Sequence, residues 1–226
     1  MSAPTTARTF EGFGERALDF YEGLAADNSR TYWKAHEDVY REHVAEPLKA
    51  LAAELAPEFG EPKIFRPHRD LRFSADKRPY QEHASLSVGR EDGGGLYLSL
   101  SVDGLLLAGG YWQPARDQLD RFRRLQDDPD VVADLDVELT ALAERGYPFG
   151  DDGMLRSAPR GWPRDHPRIE LLRRTRLAVH RLLEPDEWLH TPACLDVVRE
   201  GWRVVDTWNA WLHANVGPSV PPADGG

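Results

Sequence analysis

The stretch from Phe65 to His83 combines side chains that can bind an anion with side chains that can move a proton. Guanidinium groups grip carboxylates and phosphates through paired hydrogen bonds, and Tyr and His side chains donate or shuttle protons. We predict that four residues of this stretch bind an anion: Arg66, Arg69, Arg72 and Lys77. We predict that three residues carry out acid–base chemistry: Asp70, Tyr80 and His83.

The same residues also allow a purely structural interpretation. Arg69 or Arg72 could pair with Asp70 or Asp76 and brace a long loop without binding any ligand. The residue types alone do not decide between a binding site and a structural ion-pair network, so both hypotheses remain open.

Charge is distributed unevenly along the chain. Residues 63–83 hold six Lys and Arg against three Asp and Glu, and residues 156–176 hold seven Arg against two acids, within a chain of net charge -10. Two basic segments of an acidic protein could converge on one anion site, which adds Arg160 and His166, with Arg164 beside them, to the predicted binding residues. Alternatively, these patches offset acidic ones through scattered surface ion pairs.

A metal site finds weaker support in the sequence. It would use His68, Asp70 and His83 together with His166 or Asp165, which are suitable ligand types. The chain has no paired ligand spacing such as H-x-x-x-H or C-x-x-C. We therefore predict no metal and no cofactor.

Two residues are candidate nucleophiles. Ser74 would act with His83 and Asp70, but the chain has no G-x-S-x-G turn to present it. Cys194 lies near a predicted helix start, where a thiol pKa can fall, although a small buried hydrophobic role is the interpretation we favour. The glycine clusters match neither a dinucleotide-binding fingerprint nor a P-loop.

Composition indicates the class of protein. Of the 226 residues, 41% are hydrophobic and 29% charged, which is enough apolar material for a core. No apolar run approaches the roughly 18 residues of a membrane span, and the N-terminus lacks a secretory signal. The single cysteine suits a reducing compartment, and the acidic balance argues against a nucleic-acid partner. We expect a cytoplasmic protein with a small anionic ligand and no membrane partner; its oligomeric state stays open.

Apolar residues at helical spacing predict helices before residue 58 and after residue 113. The first should begin near Thr9, Thr31 should cap the second, and Pro47 should kink the second or open a third. Trp33 and Trp202 lie on apolar stripes of predicted helices, so we expect both to be buried.

The centre of the chain changes to an alternating pattern, which is typical of strands. It predicts strands over 84–89, 96–102 and 105–112, with a type I′ turn at Asp103-Gly104. The side chains expected to face the core are Leu96, Leu98 and Leu100. After these strands, Pro114 and Pro129 should each open a helix, and residues 177–183 fit either a strand or a helix.

These elements predict a fold of the α+β class. We expect a single domain over residues 9–216, in which N-terminal and C-terminal helices flank an antiparallel meander. The Pro- and Gly-rich ends, residues 1–8 and 217–226, should be flexible tails.

The stretch FRPHRDLRFSADKRPYQEH resembles the signature of a widespread bacterial and fungal family known as domain of unknown function 2461. The family pattern reads roughly F-R-x-x-R-D-x-R-F-S-x-D-K-x-P-Y-x-x-H. Further similarity covers most of the chain and includes Asn28, Trp33, residues 108–111, Pro114 and residues 159–167. Ala75 and His68 stand where the family often has Lys and Tyr. The resemblance implies a single domain and points to the same residues, and it brings no established reaction.

Two classes of function follow. The first is an enzyme that binds a small carboxylate or phosphate substrate and acts on it by acid–base chemistry. The second is a non-catalytic regulatory module that binds an anion or an acidic partner. A concave pocket enclosing His83 and Tyr80 would favour the enzyme, and a flat basic face would favour the module. In a binding site, Arg69→Ala should weaken anion binding by roughly tenfold.

Overall fold

The structure is a computed structural model that describes residues 9–70, 72, 76–150 and 153–220. Three helices come first along the chain: α1 (Arg16–Ala26), α2 (Arg30–Tyr40) and α3 (Glu46–Phe59). A π-helical turn, Arg41–Ala45, joins α2 to α3. Pro47 lies in the first turn of α3. Because proline has no N–H to donate, the regular helical hydrogen bond is missing at this position, and the irregular π-helical turn lies directly before it.

The starts of α1 and α2 differ from the prediction. Ser29 caps α2, since its side chain accepts a hydrogen bond from the Tyr32 N–H at 3.1 Å, and the predicted cap Thr31 lies inside the helix. Helix α1 begins well after Thr9 because Gly12 has a φ of 106°, which no helix allows. The burial of Trp33, at 6% exposed, is confirmed.

Five strands form one antiparallel meander in chain order. They are β1 (Lys63–Ile64), β2 (Ala84–Gly89), β3 (Gly95–Ser101), β4 (Gly104–Tyr111) and β5 (Leu177–Leu183). The core positions predicted for β3 are confirmed, because Leu96, Leu98 and Leu100 are buried. The fold class is α+β with helices at both ends of the chain, as the sequence predicts.

The turn between β3 and β4 corrects the prediction. Its two residues are Val102 and Asp103, and Gly104 is already the first residue of β4. A type I′ turn needs positive φ at both central residues, but glycines alone have positive φ within the described part of the chain. Gly104 has a φ of 115°, and a Cβ there would lie 2.1 Å from the Leu183 carbonyl oxygen.

Four further helices follow the meander's first four strands. They are α4 (Arg116–Arg124), α5 (Pro129–Glu144), α6 (Ile169–Leu172) and α7 (Ala193–Asn215), with 3-10 turns at Leu125–Asp127 and Glu187–His190. Pro129 opens α5 as predicted, whereas Pro114 precedes α4 because the extended Ala115 is its N-cap. Trp202 on α7 is fully buried, which confirms its predicted role in the core.

Contacts within the chain define two compact units. Unit 1 contains the chain up to Val88 together with Tyr97–Leu107 and Leu182–Gly201. Unit 2 contains Gly89–Leu96, Ala108–Arg181 and the chain from Trp202 onward. The predicted domain boundaries at residues 9 and 216 stay a prediction.

The segment after residue 216 is anchored in unit 2 as far as Val220. Asp117 accepts hydrogen bonds from the Ser219 hydroxyl at 3.0 Å and from the Val220 N–H at 2.8 Å. Gln118 and Arg121 donate to backbone carbonyls of residues 216–218. These hydrogen bonds concern residues 216–220. The flexible tails expected for 1–8 and 217–226 stay a prediction, since residues 1–8 and 221–226 lie outside the described residues.

Candidate functional site

Two extended arms of unit 1 form the frame of the candidate site. Residues 63–65 of the first arm pair with residues 85–87 of the second. Residues 67–69 pair with residues 79–81, through an antiparallel bridge between His68 and Tyr80. Along the chain, residues 70–78 lie between these paired ends.

A bulge interrupts the pairing of the two arms. Between the paired stretches, Arg66 alone lies opposite three residues, 82–84. Pro67 has no N–H to donate, which prevents regular pairing at this point. Bulges redirect side chains out of a ladder and are frequent beside functional sites.

A pocket of about 320 Å³ lies at this bulge. Its lining belongs entirely to unit 1 and consists of Phe65, Arg66, His68, Asp70, Gln81, His83, Ser85 and Tyr97. Three of the predicted site residues, Arg66, Asp70 and His83, therefore share one pocket.

Tyr80 has a different environment from the one predicted for an acid–base residue. It is 5% exposed, and its ring stacks on Trp33 at a centroid distance of 4.2 Å and an interplanar angle of 9°. The Asn28 side chain accepts a hydrogen bond from the Tyr80 N–H at 3.0 Å and donates to the Tyr80 carbonyl at 3.1 Å. These contacts fix the second arm against α2.

Arg72 and Asp70 form a bidentate ion pair. The Arg72 Nη2 lies 2.6 Å from Asp70 Oδ2, and its Nε lies 3.0 Å from Oδ1. The hydrogen bonds from Arg72 lower the pKa of Asp70. Asp70 therefore stays ionised at neutral pH, and in this conformation it serves as an anchor for Arg72.

Arg69 belongs to a longer network of ion pairs. Its Nη1 donates to Asp76 Oδ2 at 2.6 Å, and Arg78 donates to both oxygens of Asp76. Arg78 also pairs with Glu82 at 2.5 Å. Hydrogen bonds from Arg78, and secondarily from Arg69, hold the pKa of Asp76 well below its ordinary value. This arrangement matches the structural interpretation of the charged loop.

Of the three predicted site residues that line the pocket, Asp70 binds Arg72, and the other two are Arg66 and His83. Arg66 is exposed and, among the described residues, has neither a hydrogen bond nor an ion pair. Burial, with a smaller contribution from the Arg69 charge, lowers the pKa of His83. At neutral pH the pocket therefore presents a guanidinium and a neutral imidazole that can accept a proton. Lys77 is exposed in the same loop.

The second basic segment lies in unit 2. Arg160 is exposed there, as is Arg164. The Nδ1 of His166 accepts a hydrogen bond from the Arg168 N–H at 3.0 Å, so Nε2 carries the proton that it shares with Asp127 at 3.1 Å. Both ring nitrogens of His166 thus have protein partners. Its role in anion binding, and the convergence of the two basic segments, stay predictions.

Other predicted chemistries have little geometric support. Among the residues that the structure describes, no group of three or more His, Cys, Asp and Glu side chains is arranged to hold a metal ion. Cys194 is fully buried, and burial raises the pKa of its thiol to about 12. The favoured interpretation of Cys194 as a small core residue agrees with this environment. Ser74 lies outside the described residues.

Four residues of the pocket lining are not among those predicted from the sequence. Gln81 and Phe65 belong to the analysed stretch but were not assigned a role, and Ser85 and Tyr97 lie on the strands β2 and β3. The strand residues could have been found from alternation, because Tyr97 lies between the core residues Leu96 and Leu98 and so points to the other face of the sheet.

The fold and the pocket together define an α+β protein with a small polar pocket at a bulged strand pair. The family model described as Conserved hypothetical protein (DUF2461) matches residues 16–211, and the chain belongs to this family. The comparison with curated proteins and the comparison with solved structures gave no significant match.

Among the helices that the structure describes, none is both long enough and apolar enough to cross a bilayer.

Proposed function

We propose that the pocket binds a small anionic molecule that carries a carboxylate or a phosphate group, and that His83 acts on this ligand as a proton acceptor. The observation that carries the proposal is the presence of Arg66 and His83 in one pocket of about 320 Å³. This volume is at the lower end for small-molecule sites, which favours a ligand of metabolite size.

Arg66 is the group proposed to contact the anion directly. Its charge acts on the neighbouring Asp70, but among the described residues it makes no hydrogen bond or ion pair with a carboxylate. Arg69 and Arg72, in contrast, are each paired with an aspartate. A ligand oxygen would gain a charged hydrogen bond from Arg66 without breaking an existing pair. Arg69 and Arg72 then act as positioning residues, because they hold the loop that carries Asp70 beside the pocket.

His83 is the proposed acid–base group, since it lines the pocket and its lowered pKa keeps the imidazole neutral. A neutral imidazole can take a proton from a bound substrate near pH 7. Tyr80 contributes by packing, because it is stacked on Trp33 and holds the second arm in place. Asp70 holds Arg72.

A thermal-shift and calorimetric titration with inorganic phosphate and malonate tests the binding step. The parent protein should be stabilised by at least one of these anions, because a ligand that binds only the folded state raises its stability. Arg66→Gln should weaken binding by about tenfold or more, since a charged hydrogen bond contributes about 1.5–3 kcal/mol. Arg30→Gln, which removes an exposed arginine of α2, is the matched control and should bind like the parent.

The outcomes separate the proposal from its alternatives. Loss of binding in Arg69→Gln but not in Arg66→Gln would restore the original prediction that Arg69 contacts the anion. Absence of any anion-dependent stabilisation of the parent would contradict the proposal and leave a structural ion-pair network.

A non-catalytic binding module is the second candidate function. The ion pairs of Asp70 and Asp76 favour this function. Among the described residues, His83 is then the one predicted acid–base group that lines the pocket and has no ion pair. If the protein is such a module, the His83→Gln variant should bind the anion with the same affinity at pH 6 and at pH 8. The protein should also show no turnover in a screen of phosphate and carboxylate esters.

A further inference from the structure

Two aromatic rings stand beside the anion-binding groups of the pocket. Phe65 on the first arm is 40% exposed, although it is a large apolar side chain. Its backbone is fixed, because the Phe65 N–H donates to the Ser85 carbonyl at 2.9 Å. Tyr97 on β3 is half-buried and lines the same pocket.

The sheet explains why the Tyr97 ring lies at the pocket. Leu96 and Leu98 are buried in the core, so Tyr97 between them points to the opposite face. Ser85 on β2 is itself buried, as are Ala84 and Leu86 on either side of it, and it lines the same pocket. The strands β2 and β3 therefore add one small polar side chain and one half-buried aromatic ring to the lining.

We propose, on the basis of the anion site described above, that the ligand of this pocket is a small aromatic anion, an aryl carboxylate or an aryl phosphate. Arg66 would bind the charged group, and Phe65 and Tyr97 would contact the ring of the ligand. Covering the exposed part of the Phe65 ring removes apolar surface from water, and aromatic pairs add a geometric preference for a flat partner.

The size of the pocket limits the ligand further. About 320 Å³ is close to the minimum for a small-molecule site, so a single ring with one charged group is the size that fits. Gln81 and His68 supply further polar groups to the lining and can orient substituents of the ring.

Calorimetry with matched pairs of anions tests this inference. The pairs are phenyl phosphate against methyl phosphate, and benzoate against cyclohexanecarboxylate, so that head group and ring are varied separately. The parent protein should bind the aromatic member of at least one pair about tenfold more tightly, which corresponds to about 1.4 kcal/mol. The pair that shows this difference identifies the head group as phosphate or carboxylate.

Three variants assign the ring preference to Phe65 and the binding of the charged group to Arg66. Phe65→Leu and Phe65→Ala should lose most of the preference for the aromatic member and keep the affinity for the aliphatic one. Arg66→Gln should lose affinity for both members of the pair. Trp112→Ala is the matched control, because Trp112 is an exposed aromatic residue of unit 2, and it should leave the preference unchanged.

Each result has a distinct meaning. If the parent binds inorganic phosphate or malonate but shows equal affinity for the two members of both pairs, the aromatic ligand is refuted and the anion site stands. If none of these anions binds, the anion site and this inference both fail. If both Phe65 variants still bind the aromatic member of a pair more tightly, Phe65 is not the residue that contacts the ring of the ligand.

Discussion

The two arginine-rich segments of this protein have similar composition and different structural roles. In the segment 63–83 of unit 1, arginines pair with aspartates only two to seven residues away, as Arg72 does with Asp70 and Arg69 with Asp76. These local pairs shape a loop and leave the neighbouring pocket open, so Arg66 and His83 stay accessible.

In the segment 156–176 of unit 2, arginines bind distant groups. Arg173 donates to the Leu155 carbonyl at 2.6 Å, and Arg174 donates to the Gly150 carbonyl at 2.5 Å. Arg168 binds Asp136 with two hydrogen bonds and Gln126 with a third. The guanidinium groups of Arg173 and Arg174 thus donate to carbonyls of the irregular residues before α6, where no helix or strand supplies a backbone donor. The net charge of a segment therefore does not show whether its arginines lie at a pocket or hold the chain in place through internal hydrogen bonds.

The largest expected effect is on the free energy of unfolding. The prediction compares packing next to the pocket with packing elsewhere in the chain. Trp33→Ala and Trp202→Ala should each lower the free energy of unfolding by about 3–5 kcal/mol, since both side chains are buried. Only Trp33→Ala should also weaken anion binding, because Trp33 stacks on Tyr80 and supports the second arm. Urea denaturation measures the first effect, and calorimetry at low temperature measures the second.

Trp33→Phe is the control that keeps an aromatic ring beneath Tyr80, and it should retain most of the binding. An unchanged urea midpoint and slope for Trp202→Ala would contradict its place in the core. Equal loss of anion affinity in both Ala variants would show that stability, rather than the Tyr80 stack, limits binding.

The second prediction tests whether the two segments differ in their contribution to stability. Arg168→Ala should lower the free energy of unfolding by about 1–3 kcal/mol, because it leaves the buried Gln126 side chain without its donor. Arg72→Ala should leave stability close to that of the parent, since the Arg72 side chain is 77% exposed. Chemical denaturation of the two variants side by side measures the difference.

Arg168→Lys keeps the charge but not the planar fork, and it should recover only part of the lost stability. If Arg72→Ala proved as destabilising as Arg168→Ala, the contrast between exposed local pairs and bracing arginines would be refuted.

The smallest expected effect concerns pH. The pKa of His83 is lowered in the folded protein, so the neutral imidazole is the form that the fold favours. Above pH 6.5, the ordinary value, folded and unfolded chains both carry the neutral form and its contribution to stability is constant. As the pH falls below that value, the unfolded chain takes up a proton more readily, so the stability of the parent should decrease.

NMR titration of the His83 ring checks this prediction directly. The midpoint should lie below the ordinary value in the parent, and it should move upward in Arg69→Gln, because that variant removes the positive charge that disfavours protonation. The shift should be partial, since burial is the larger cause and remains. His83→Gln should flatten the fall in stability below neutral pH, and a parent midpoint at or above the ordinary value would contradict the assignment.

The sequence alone determined the elements of this fold whose signals are local. The alternation around Leu98 predicted β3 and its core face, Pro129 predicted the start of α5, and the helical spacing around Trp33 and Trp202 predicted two buried side chains. These predictions succeeded because periodicity and proline geometry act within a few residues. The signature of residues 65–83 also identified the family and the segment that supplies most of the pocket lining.

Tertiary structure alone decided which of the charged residues face the pocket. In sequence, Arg66, Arg69 and Arg72 are equivalent arginines at a spacing of three, yet two of them are paired with aspartates and one is open. Likewise, Tyr97 entered the pocket from β3, far along the chain from Arg66. The bulge opposite Arg66 and the position of Tyr97 at the pocket depend on how the two arms and β3 pair, and this pairing is a property of the folded chain that no local pattern encodes.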